Sequence, residues 1–80
     1  MEKYITILNE RNEEIGEIVL KNDAIKVNGK KAKSINDMLE SWQKGYFGKK
    51  YNTDKKLFEV IPELMSRYTR IFCFNIKERD

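Results

Sequence analysis

Ser34-Ile35-Asn36-Asp37-Met38-Leu39-Glu40-Ser41-Trp42-Gln43-Lys44-Gly45 is the stretch in which the hydrophobic period of the chain changes. Ile35, Met38, Leu39 and Trp42 recur at i, i+3, i+4 and i+7, which places them on one face of a helix. Ser34 and Asp37 read as a capping box, the hydroxyl accepting from the backbone N–H three residues on and the carboxylate reaching back. Gly45 is a natural C-cap.

Upstream of that helix the period is two. Lys3 to Asn9 alternates as a strand, with Tyr4, Thr6 and Leu8 on one face and Ile5 and Ile7 on the other. Glu10 to Glu14 is turn-like, Ile15 to Lys21 is a second strand, Asn22-Asp23 is a turn, and Ala24 to Asn28 is a short third strand. Asn28-Gly29 carries a type I′ signal, so Lys30 to Lys33 is expected to fold back as a hairpin arm. Three strands joined by short turns predict an antiparallel meander.

Downstream, Thr53 is placed to cap a second helix whose apolar face comprises Leu57, Phe58, Ile61, Leu64, Met65 and Tyr68. Pro62 removes one backbone donor and crowds the preceding turn, so a kink or a break is expected there. Ile71 to Lys77 closes the chain as a strand that is apolar on both faces at its start, which suggests an interior place in the sheet. Phe72, Phe74 and Ile76 on one face would meet Trp42 and the second helix, leaving the other sheet face half wet. The fold expected is α+β: a two-layer sandwich of a mostly antiparallel sheet with two helices on one face, in the order βββααβ, formed by residues 1–80 as a single domain.

Eighty residues bury only roughly 60–65% of their unfolded surface, so a deep substrate cavity would consume core that the fold needs. Apolar residues at 40% and charged residues at 36% place the chain among globular proteins instead of disordered ones. The longest apolar run, Ile71 to Phe74, is far short of a membrane span, and Met1-Glu2-Lys3-Tyr4 lacks the features of a signal peptide. One cysteine makes no internal disulfide, which fits a reducing cytoplasm.

Histidine is absent, so Ser–His and Cys–His pairs, imidazole bases and imidazole metal ligands are excluded. Cys73 between Phe72 and Phe74 reads as a buried structural thiol, and one sulfur does not make a zinc site. Glu59 and Glu63 at i, i+4 read as a solvated helix face without a third oxygen ligand. No nucleophile is paired with a base. The chain is therefore expected to be no enzyme, with no cofactor, no metal and no small-molecule substrate.

The net charge of +3 is unevenly spread. Residues 1–20 set Lys3 and Arg11 against Glu2, Glu10, Glu13, Glu14 and Glu17. Residues 21–56 set ten lysines against Asp23, Asp37, Glu40 and Asp54. Within that basic block, aromatics and lysines interleave from Trp42 to Lys56, bracketed by Gly45 and Gly48. Lys44, Tyr46, Phe47, Lys49, Lys50, Tyr51, Lys55 and Lys56 are the candidate binding surface. Tyr and Trp beside a polar rim suit contact with another protein, or with a second copy of the chain through a free sheet edge. The alternative is a nucleic-acid binder, its lysines on phosphates and its aromatic rings on bases, which would also draw on Lys30, Lys31 and Lys33. The modest net charge, the use of Lys over bidentate Arg and the acidic first third rank it second.

The unit helix–Gly45-Tyr46-Phe47-Gly48–helix beside a three-stranded sheet is similar to the KH domain, whose Gly-x-x-Gly loop clamps a nucleic-acid backbone. Bulky Tyr46 and Phe47 stand where such loops hold small or basic residues, and the strand order departs from either KH arrangement.

Overall fold

A computed structural model describes residues 3–67 and, at 75–79, the backbone of a further strand. Strands β1 (Lys3–Leu8), β2 (Glu14–Lys21) and β3 (Ala24–Asn28) form an antiparallel meander. Helices α1 (Ala32–Lys44), α2 (Tyr46–Lys50) and α3 (Asp54–Arg67) follow, and β4 (Asn75–Arg79) pairs antiparallel with β1. The sheet order is β3-β2-β1-β4. The chain is thus a small α+β fold with an antiparallel sheet and three helices.

Local chemistry sets the turns. Between β1 and β2, the Asn9 carboxamide oxygen accepts from the backbone N–H groups of Arg11 and Glu13, both at 2.9 Å, while Asn12 takes a positive φ of 62°. Between β2 and β3, Asn22 and Asp23 both lie in the left-handed region, at φ 52° and 60°, and Lys21 pairs with Ala24. This is the two-residue hairpin that matches strand twist. The Asn28-Gly29 signal has a different outcome: no hairpin arm follows. Gly29, at φ 108°, turns the chain straight into α1, and a Cβ there would lie 2.8 Å from the Gly16 Cα. The Lys31 N–H bonds the Ile15 carbonyl at 2.7 Å and the Ala32 N–H bonds the Gly29 carbonyl at 3.2 Å. The backbone therefore starts winding before Ser34 is reached. Lys31, not Ser34, is the N-cap, and no side chain caps α1.

The core joins the two periodicities. Ile5 and Ile7 of β1 and Ile18 and Leu20 of β2 share a strand face and cluster with Ile35, Met38, Leu39 and Trp42 of α1 and the stripe of α3. Pro62 does not break α3, which runs unbroken through it. A proline in a helix interior costs about 3 kcal/mol. Burial of Leu57, Phe58, Ile61, Leu64 and Met65 on one side of the same helix returns roughly 1.5–3 kcal/mol apiece, which outweighs that loss.

Two expectations about the sheet are corrected. β4 lies at its edge, while β1, where Ile5, Thr6 and Ile7 are successively buried, and β2, where Ile18, Val19 and Leu20 are, are covered on both faces. The face expected to be half wet is dry at its centre, since Thr6 and Val19 are only 2% and 7% exposed. Tyr68 and the apolar run Ile71 to Phe74, with Cys73, lie outside the described residues. No described helix is long and apolar enough to cross a membrane.

Candidate interaction surface

The segment between α1 and α3 is not the open loop expected from its glycines. Gly45 ends α1, its N–H on the Trp42 carbonyl at 3.2 Å, and at the same time opens α2 in an extended conformation. The Gly48 N–H returns to the Gly45 carbonyl at 3.2 Å and the Tyr51 N–H to the Phe47 carbonyl at 2.7 Å. Gly48 is where the short helix meets the long one: a Cβ on it would collide with the backbone carbonyl of Gln43. Gly45-Tyr46-Phe47-Gly48 is thus a helix start seated on a helix end, not a loop free to clamp a phosphate backbone.

That seat distributes the aromatics. Trp42 is in the core, Phe47 and Tyr51 pack half-buried against it, and Tyr46 is left 68% exposed. Among the described residues Tyr46 is the only exposed large hydrophobic side chain. The rings form a chain: Trp42 and Phe47 meet edge-to-face with centroids 6.3 Å apart, and Tyr46 and Phe47 likewise at 5.7 Å. The Lys50 ammonium lies 5.8 Å from the Tyr46 ring and 5.5 Å from the Tyr51 ring. Each such cation–ring contact is worth about 0.5–1 kcal/mol at an exposed site, enough to bias Tyr46 and Lys50 toward one arrangement.

The other candidate residues divide into three groups. Lys44, on the last turn of α1, donates to Glu40 at 2.9 Å, and that hydrogen bond, then the carboxylate's charge, raises its pKa. Lys49 and Lys50 end α2, where cations complement the helix dipole. Lys55 and Lys56 are exposed in the first turn of α3, and the Lys56 ammonium reaches the Asn52 carboxamide at 3.5 Å. Thr53 caps α3 as its position in the sequence predicts, its hydroxyl accepting from the Lys56 N–H at 3.2 Å. Lys30, Lys31 and Lys33 stand at the opposite end of α1. That helix has 13 residues and so is about 20 Å long. Eight of the ten lysines of the block therefore fall into two groups towards opposite ends of α1, while Lys21 and Lys26 lie on β2 and β3.

Several titratable groups of the described residues are held in local contacts. A cleft of 490 Å³ between α1 and α3 is lined by Ile25, Asn36, Leu39, Glu40, Gln43 and Asp54. Both of its carboxylates are engaged, Glu40 by Lys44 and Asp54 by the Ile25 N–H at 2.9 Å. On α3, Glu63 is paired with Arg67 at 2.7 Å. Among the described residues no three Asp, Glu, Cys or His side chains group to hold a metal ion.

Sequence reasoning missed two residues of this region. The aim of Asp54 at β3 depends on a contact between residues 29 apart, which no local pattern carries. The seat of Gly48 had a signal, a glycine in a segment otherwise able to be helical, where glycine costs stability unless something needs the space. No family model matches the chain, and neither a curated protein nor a solved structure matches it at a significant level.

Proposed function

We propose that the chain is a non-catalytic interaction module that binds another protein through the α2 surface centred on Tyr46. The observation that carries this reading is the exposed Tyr46 ring, held by Phe47 and Lys50 above a buried Trp42. An aromatic anchor whose rotamer is already restrained loses little entropy on docking, and tyrosine is enriched among residues that dominate interface energies. We read the fold beneath it as a two-layer sandwich with the helices on one sheet face, so that α2 projects from one corner. The single cysteine and the lack of a spanning helix among the described residues suit a cytoplasmic setting.

Nucleic-acid binding is the second reading, favoured by Lys49, Lys50, Lys55 and Lys56 in the same segment as that tyrosine. Two features rank it lower. Phe47 and Lys50 already contact the Tyr46 ring, so a stacking base would share it with both. Lys30, Lys31 and Lys33 stand at the far end of α1, a helix about 20 Å long. A pull-down from native lysate, with and without nuclease, separates the readings. The protein-binding module retains its partner after nuclease and loses it on Tyr46→Ala; loss on nuclease alone would reverse the ranking.

A further inference from the structure

The Tyr46 surface has a charge that its own fold does not neutralise. From Tyr46 to Lys56 there are four lysines and one acid, Asp54. The carboxylate of Asp54 is turned away from them, onto the Ile25 N–H of β3. Lys50 lies against two tyrosine rings and Lys56 against a carboxamide, none of them an anion. Lys44 is different: one helical turn from its own Glu40, it is paired within the chain. Like Lys26, Lys30 and Lys33, the four lysines of this segment have no ion pair among the described residues; what sets them apart is the exposed aromatic ring of Tyr46 in the same segment.

We infer that this surface docks an acidic segment of a partner protein, its carboxylates on Lys49, Lys50, Lys55 and Lys56 and an apolar side chain against Tyr46. The inference rests on the interaction-module reading and names the chemistry of its partner. A carboxylate can take the ammonium of Lys50 without displacing it from the rings, since cation–ring and ion-pair contacts use different directions around the nitrogen. Complementary charge also speeds encounter and rejects basic partners, so a modest four-lysine surface contributes more to selectivity than to raw affinity.

The test titrates the isotopically labelled chain with three probes of equal length. One is a peptide of Glu, Asp and Leu; the second carries Gln and Asn in place of the acids; the third is an oligothymidylate. The acidic peptide is expected to shift amide resonances between residues 44 and 56 and to bind about tenfold more tightly than its amide counterpart, the yield of a few exposed ion pairs. The variant with Lys49, Lys50, Lys55 and Lys56 all replaced by Gln should lose that advantage while keeping its thermal midpoint. Equal binding of the two peptides would overturn the inference and leave the interaction module standing with an uncharged partner. Oligothymidylate bound tenfold more tightly than the acidic peptide would overturn both. Shifts spread evenly over Lys3, Lys26, Lys30 and Lys33 would mean bare polyanion condensation and would overturn the inference as well. Shifts at 44–56 that grow with protein concentration alone would assign the surface to a second copy.

Discussion

The carboxylate of Asp54, the first residue of α3, accepts a hydrogen bond of 2.9 Å from the backbone N–H of Ile25 on the edge strand β3. An edge strand offers a row of unpaired backbone groups to any other strand it meets. Here α3, two helices further along the chain, supplies the partner for one of them. The same carboxylate sits at a helix N-terminus, where negative charge is favourable.

Removing that contact has two readouts. Asp54→Ala should destabilise the chain by about 1–2 kcal/mol, less than a fully buried charged hydrogen bond because Asp54 is only half-buried. It should also raise self-association, since the Ile25 N–H is released at an open edge. Asp54→Asn keeps an acceptor oxygen and should do neither to the same extent. Urea titration and sedimentation velocity on the three proteins check the prediction; an Ala variant that is monomeric and equally stable would refute it.

Gly48→Ala separates packing from propensity. In a solvent-exposed helix the change would stabilise by about 1 kcal/mol. In α2 the new methyl meets the Gln43 backbone carbonyl, so the helices must part. The expected result is a loss of roughly 1–3 kcal/mol, the usual cost of overpacking, with altered resonances for Tyr46 and Phe47. A gain in stability would show that α2 is not seated as described.

Trp42→Ala should cost about 3–5 kcal/mol, because the indole is buried between α1 and the α2 aromatics. In a chain this small that is most of the available stability. Trp42→Phe keeps much of the volume and gives a folded reference. Chemical denaturation of both variants tests the prediction, and a Trp42→Ala protein with an unchanged midpoint would place the ring outside the core.

Pro62→Ala should have the opposite sign. It restores an N–H donor inside α3 at a half-buried site and removes a ring from the helix, for a gain of up to about 3 kcal/mol. Thermal melts of the two proteins are the measurement. A lower midpoint would mean that the ring's packing matters more than the missing hydrogen bond.

What could be read in advance followed from regular period and local turn chemistry. The alternation of Ile5, Ile7, Ile18 and Leu20 and the stripes of α1 and α3 are visible in sequence because each is a repeat imposed by one buried face. Asn22-Asp23 and the Thr53 cap are local and were equally visible. The helix starts three residues earlier than its capping signal implies, because Gly29 lets the backbone reverse without help from Ser34. The five-residue α2 is too short to show a period. The exposure of Tyr46, against the burial of Trp42 and the half-burial of Phe47, depends on the Gly48–Gln43 contact and not on the spacing of the aromatics.

That contact has a consequence for engineering. Because α2 is seated by main chain on main chain, its orientation owes little to the side chains of Tyr46, Lys49 and Lys50. Those three positions behave as a removable cassette. Random replacement there, with Gly48 and Phe47 kept, should yield a library of folded proteins that differ in what they recognise, and the chain becomes a minimal scaffold for display.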